Sequence, residues 1–301
     1  MKQFSHTLLF FVFLLFSLPL LAQVKDYAAE WKKVDDLLQR KGLPQSALTE
    51  VKKIYSRAKA EKQDAQVIKA LLYMTMLQEQ TREDNAPASI RELEKELGSM
   101  NEPAASITKS LLASRYWQYF QRHRWQLYNR TNTTSFNKED IATWTAADFH
   151  NKISDLYLQS ISKEDLLKQT KIDRYEALII KGNTRALRPT LFDLLAHEAL
   201  QYFTNPERDV ARPAYAFEME GTAPFAPAAQ FVKHRFVTSD SLSLHHKALQ
   251  VYQRLLAFHL KGNEAALMDA DLSRLRFVHA HSVHPQKRFA VPRGTNNYHS
   301  K

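Results

Sequence analysis

The sequence predicts an all-α fold: an irregular stack of αα-hairpins, a TPR-like helical solenoid, that follows a signal peptide and is interrupted by one long loop rich in proline and aromatic residues. Three observations predict it. Glycine is rare, 6 of 301 residues, where an average chain would hold about 7%, so folds built on many tight turns or on Gly-rich phosphate loops are disfavoured. Leu and Ala lead the apolar set, which favours helix over strand. Nearly every apolar run repeats with a period near 3.6. The absence of cysteine excludes a disulfide framework, a Cys-zinc site, a thiol nucleophile and a lipoprotein anchor.

Residues 1–22 read as the signal peptide. Lys2 precedes an apolar run from Leu8 to Leu21, broken by Ser17 and Pro19 and ending at the small residue Ala22. That run is shorter than the ~20 residues needed to cross a bilayer. Cleavage there predicts a mature chain from Gln23, exported to the periplasm or cell envelope, with no later membrane span and a formal charge of +9 (+10 less Lys2).

Residues 23–204 read as the helical-repeat region. In 26–40, Trp31, Val34, Leu37 and Leu38 form one face, with Gly42 and Pro44 as stop signals. In 46–58, Ala47, Leu48, Val51, Ile54, Tyr55 and Ala58 recur at helical spacing between Glu50, Lys52, Lys53 and Arg57. Residues 64–80 are apolar round most of the circumference, as suits a helix covered on two sides. Residues 42–77 resemble a tetratricopeptide helix pair, although no second copy follows at a 34-residue period. Pro87 opens 89–97, and Pro103 opens a long helix to about Tyr128. Thr145 is an N-cap with Asp148 three residues on, and Trp144 is placed to staple onto Phe149; that helix continues through Ile153, Leu156, Tyr157 and Ile161. A short helix at 163–169 and an apolar stretch at 175–180 lead to the turn Lys181-Gly182-Asn183. Residues 190–203 carry Phe192, Leu195, Ala196, Ala199, Tyr202 and Phe203 on one stripe.

Residues 205–240 hold four prolines and Gly221, yet also Tyr215, Phe217, Phe225, Phe231 and Phe236. Too aromatic for disorder, the segment is expected to lie packed across the helices. Residues 241–286 form a C-terminal helical hairpin, 241–260 and 264–281, turning at Lys261-Gly262-Asn263. The stripe of Met268, Leu272, Leu275 and Val278 is expected to want a partner. The basic tail 287–301, with Lys287, Arg288, Arg293 and Lys301 and no acidic residue, forms no helical stripe and is expected to be disordered on a truncated chain; without it the mature charge falls to +5 (9 − 4).

Candidate chemistry is thin. His197-Glu198 invites a zinc-protease reading, but the position one turn on is Gln201, so the second metal ligand is missing; His197 is expected to pair with Asp193. His279, His281 and His284, with His245 and His246, would form a metal site if their helices pack antiparallel. No Asp or Glu follows His279 to complete the set, and His245 and His259 lie on an apolar stripe, which makes them core or interface imidazoles. The run Tyr116, Trp117, Tyr119, Phe120, His123, Trp125, Tyr128, interleaved with Arg115, Arg122, Arg124 and Arg130, has the composition of a single-strand nucleic-acid surface. Helical spacing instead assigns Tyr116, Phe120, His123 and Leu127 to the core, and an exported chain argues against nucleic acid as a partner. Asn129-Arg130-Thr131 and Asn132-Thr133-Thr134 match the glycosylation pattern and mark a loop. With no nucleophile elbow, phosphate loop or carboxylate pair, the sequence offers no catalytic, cofactor-binding or metal residue, and the expectation is a protein that is not an enzyme and needs no cofactor.

Several stretches resemble a known family: Asp140-Ile141-Ala142-Thr143-Trp144 with Phe149, Ile153, Leu156 and Tyr157; Ile179-Ile180-Lys181-Gly182-Asn183; Leu187-Arg188-Pro189-Thr190-Leu191-Phe192-Asp193-Leu194-Leu195-Ala196-His197; Pro213-Ala214-Tyr215-Ala216-Phe217-Glu218; and Asp269-Ala270-Asp271-Leu272. Together they look like the N-terminal helical region of large bacterial alpha-2-macroglobulin-like proteins, over nearly all of the mature chain to Pro285. The resemblance implies a helical part that precedes macroglobulin β-sandwich domains, a bait segment and, in some members, a Cys-containing thioester, which together trap proteases in this endopeptidase-inhibitor family. Those features are missing here, so no functional residue of the family maps onto this chain. What the resemblance implies is a non-catalytic N-terminal fragment of an envelope protein that works through protein contacts, its partner being the missing macroglobulin domains. The alternative is a His-dependent metal-binding or hydrolytic domain.

Overall fold

Helix covers 72% of the structure, a computed structural model that describes residues 26–81, 86–128, 140–180, 182–183, 185–205 and 214–283. The signal peptide, the glycosylation-like motifs at 129–134 and the basic tail lie outside the described residues. Among those residues no strand occurs, only isolated bridges between Lys171 and Thr190 and between Met219 and Ser282.

The helices follow the hydrophobic periodicity closely. They are α1 (Ala28–Gln39), α2 (Pro44–Ala60), α3 (Asp64–Thr81), α4 (Ala86–Leu97), α5 (Ala104–Tyr128), α6 (Ala146–Ser160), α7 (Glu164–Gln169), α8 (Leu191–Phe203), α9 (Ala228–Phe231), α10 (Leu244–His259) and α11 (Glu264–His281). Each of α1 to α5 packs on the next, α5 on α6, α6 on α8, α8 on α10 and α10 on α11. Short connections make such neighbours αα-hairpins, and stacking them buries one continuous core. In the α2–α3 pair Ala47, Ala58, Ala70 and Leu71 are buried, while Tyr55 is half-buried. The stack is irregular at one place: the 3-10 segment Ile172–Leu178 returns to α3 and buries Tyr175.

Local chemistry sets the ends. Pro44 opens α2 rather than closing α1, because its fixed φ and missing N–H suit a first helical position. At α6 the Thr145 Oγ1 accepts from the Asp148 N–H at 3.3 Å, and the Asp148 carboxylate accepts from the Thr145 N–H at 2.9 Å, a complete capping box. The staple is formed too, with the Trp144 and Phe149 rings 5.1 Å apart.

The segment expected as a packed loop, 205–240, is described at residue 205 and from residue 214 on. It contains the 3-10 turn Ala223–Phe225 and helix α9, and buries Phe225 and Phe231 against α10 and α11. The last helix departs from expectation. Its buried face is Ala266, Ala270, Arg274, Phe277 and Val278, whereas Met268 and Leu272 stay 39% and 45% exposed. Of the expected stripe only Val278 is fully inside, because α11 turns its Arg274 side toward the 214–231 segment.

Candidate functional site

A group of polar side chains in the core lies where α8 meets α10 and α11. Thr190 and Asp193 form a second capping box at the start of α8: the Asp193 Oδ2 accepts from the Thr190 N–H (3.0 Å) and Oγ1–H (2.7 Å). The other oxygen, Oδ1, accepts from Nε2–H of His259 on α10 at 2.6 Å, with Asp193 fully buried and His259 4% exposed. A helix cap is thus also a hydrogen-bonded tie between helices whose partners lie 66 positions apart. The expected partner of Asp193, His197, is one turn along α8 but reaches only its backbone: His197 Nδ1–H donates to the Asp193 carbonyl at 2.8 Å. The carboxylate is taken by His259, since an Asp at the N-terminus of a helix points back over the first turn rather than along the face.

That bond fixes the tautomer of His197 and turns Nε2 toward Asp269 of α11, 3.6 Å from its Oδ2. Burial holds the His197 pKa below the usual 6.5, outweighing the opposing pull of the Asp193 carbonyl and Asp269, and the Arg188 charge adds to the lowering. Arg188 itself meets Asp269 at 3.4 Å. Glu198, the next residue, is pushed upward by burial, with Arg188 acting against the shift. The His197-Glu198 pair is therefore neutral imidazole beside a desolvated carboxyl, wedged between helices. Among the described residues no group of three or more His, Asp or Glu is arranged to hold a metal ion.

A second tie anchors the aromatic segment. Arg274 of α11 is fully buried; its Nη1 donates to the carbonyls of Pro224 (2.9 Å) and Ala226 (2.8 Å), and its guanidinium lies 4.4 Å from the centre of the Phe231 ring. Its Nη2 stands 2.7 Å from Asp271 Oδ1, an ion pair whose angles fall outside hydrogen-bond geometry. Burial lowers the Arg274 pKa and raises that of Asp271. No local pattern singles out this residue, because its acceptors are carbonyls of a segment about fifty positions away.

The remaining histidines scatter. His245 and His281 do come together across the α10–α11 hairpin, with ring centroids 4.5 Å apart, whereas His246 turns to the Phe236 carbonyl at 3.0 Å and His279 is exposed. His284 lies outside the described residues. In α5, Tyr116, Phe120 and Leu127 are buried as the spacing requires, His123 is half-buried, and Tyr119 joins the core. Tyr116 stacks on Trp144 at 5.4 Å and Trp117 meets Tyr202 edge-on at 5.2 Å. Of this aromatic run only Trp125, 73% exposed and covered in part by Arg124, faces water as a nucleic-acid platform would require. One stacking ring does not make such a surface. No described helix is long and apolar enough to cross a membrane.

No family model, no curated protein and no solved structure matches the chain.

Proposed function

We propose that this chain is a non-catalytic helical scaffold that works through protein contacts, the N-terminal segment of an alpha-2-macroglobulin-like envelope protein of the endopeptidase-inhibitor family. The observation that carries the reading is the use made of its polar side chains. Asp193, His259 and Arg274, among the residues best suited to chemistry, are spent on hydrogen bonds that tie separate segments together and lie inside the packing, with His197 buried beside them. The apolar Met268 and Leu272, one turn apart on the last helix, are left facing water. A stack of hairpins that ends on such a face is suited to receive a following domain.

Two experiments test the reading. Purified residues 23–301, incubated with proteases, should neither trap nor cleave them; stoichiometric trapping would overturn the non-catalytic assignment. Reading the DNA beyond the codon for Pro285 tests the fragment assignment, which requires β-sandwich coding sequence downstream. A second reading, a His-dependent metal-binding or hydrolytic domain, draws on the contact of His245 with His281. Metal analysis of the purified protein separates the two, since only the second requires a stoichiometric transition metal.

A further inference from the structure

His197 stands between α8 and α11 with one ring nitrogen engaged and the other not. Its Nδ1–H donates to the Asp193 carbonyl at 2.8 Å, so the neutral ring carries a lone pair, not a proton, on Nε2. That atom is buried without a hydrogen-bond partner and faces Asp269 Oδ2 across 3.6 Å. Two acceptors therefore oppose each other. The same carboxylate oxygen accepts instead from Arg188 Nη2–H at 3.4 Å.

Arg188 belongs to the turn that feeds α8, and a second bond joins this turn to α11. Asn263, whose Oδ1 caps α11, donates from Nδ2 to the Ala186 carbonyl at 2.9 Å. The two basic groups at Asp269 differ in their access to water: the Arg188 side chain is 35% exposed, that of His197 only 10%.

We propose that this cluster is an acid-sensitive latch: a proton from solvent binds His197 Nε2, Asp269 of α11 takes the new Nε2–H as its donor, and Arg188 moves out into water, loosening residues 185–188 from α11. One carboxylate cannot neutralise two cations. The guanidinium is the one that water can receive, whereas a buried imidazolium left without a counter-charge is costly. Among the described residues the charges acting on the ring are Arg188, Asp269 and Asp193, and burial holds it neutral at pH 7. On the elements packed against α8, His259 of α10 is bonded to Asp193, Lys168 of α7 and Arg254 of α10 share Glu164, Tyr252 of α10 bonds Ser273, and Tyr157 of α6 lies near Glu198.

Nuclear magnetic resonance on the full chain tests the latch. The His197 ring signal, assigned by its loss in His197→Gln, should titrate below 6.5 in the parent. Arg188→Gln should raise that midpoint and Asp269→Asn should lower it, each by about 0.5 pH unit, shifts that a merely structural contact would not give. Hydrogen exchange on the parent reads the release itself and needs no variant: corrected for the intrinsic effect of pH, protection of the amides of 186–188 should fall along the His197 titration curve while that of α2 and α3 holds. Arg188→Gln should show weak protection there already at neutral pH, and His197→Gln should keep its protection in acid. Protection that does not follow the titration, or that falls equally in His197→Gln, would overturn the proposal, as would a midpoint that neither charge change moves.

Discussion

Replacing Asp193 with alanine should destabilise the protein by about 3 kcal/mol, and the structure says why. The side chain makes three hydrogen bonds: two from Thr190 at the start of α8 and one from His259 on α10. Loss of the reciprocal half of the capping box costs about 1 kcal/mol. His259, only 4% exposed, is left with a buried N–H that finds no acceptor, for about 1–3 kcal/mol more. Asp193→Asn keeps the shape and an acceptor for Thr190, so it should cost about half as much. The assay is a urea melt followed by far-UV circular dichroism at pH 7, run on each single variant and on Asp193→Ala/His259→Leu. If the pair acts as a tie, the double variant is less destabilised than the two singles added together by at least ~1 kcal/mol, since the second change removes a group already orphaned. Additive costs, or an Asp193→Ala loss below ~1 kcal/mol, would show that the 2.6 Å contact does not hold α8 to α10.

Four more outcomes are expected. Thr145→Ala should cost about 1 kcal/mol by removing the α6 cap, and a change inside the error of a denaturant melt would refute the cap. Arg274→Met should cost about 3–5 kcal/mol, because it leaves Asp271 half-buried without its ion pair and strips two carbonyls of their donor; limited proteolysis should then cut first within 214–231, and unchanged cleavage there would refute the anchor. His197, with its pKa held below 6.5 by burial, gives stability that is complete above pH 6.5 and is lost as pH falls from there through its lowered pKa; a His197→Gln variant should flatten that limb of a stability-against-pH curve, and an unaltered limb would assign it to other groups. Glu198 has the opposite sign: its carboxyl is raised by burial from 4.5, so its ionisation opposes folding as pH rises past that value, and Glu198→Gln should be more stable than the parent at pH 7 but equal to it below pH 4.5.

The helices were legible because each is specified locally. Thr145, Asp148, Trp144 and Phe149 lie within six positions, and the start they mark is where α6 begins. The stripe of α8 likewise placed Phe192, Leu195, Ala199 and Phe203 inside, and all four are buried. The segment 214–240 was legible as packed from its aromatics, although not the turn and short helix within it. What stayed hidden was always a choice between local options made by a remote partner. Helical spacing offers Asp193 the side chain of His197; a capping carboxylate bends back over the first turn, where only the tertiary fold brings His259. On α11, Met268, Leu272 and Leu275 are the better apolar stripe by sequence, yet the face that turns inward is the one with Arg274, which donates to the carbonyls of Pro224 and Ala226. The return of Ile172–Leu178 to α3 is of the same kind.

These hidden contacts bear on why one arrangement forms at all. The stripes on α8, α10 and α11 are built of Leu, Ala, Val and Phe, and apolar stripes of similar volume tolerate sliding by a turn at modest cost. A buried hydrogen bond does not: displaced by one turn, about 5.4 Å, Asp193 and His259 would each be left desolvated and alone. The same holds for Arg274, whose two carbonyl acceptors and acidic neighbour coincide at one register only. The ties therefore give little net stability against an apolar replacement of equal volume, and their effect is to penalise the wrong registers. On this argument Asp193→Leu/His259→Leu should melt within a few kcal/mol of the parent and yet lose the single set of sharp side-chain resonances that the parent gives from α8 and α10. A double variant with equally sharp, singly populated resonances would show that apolar shape alone sets the register.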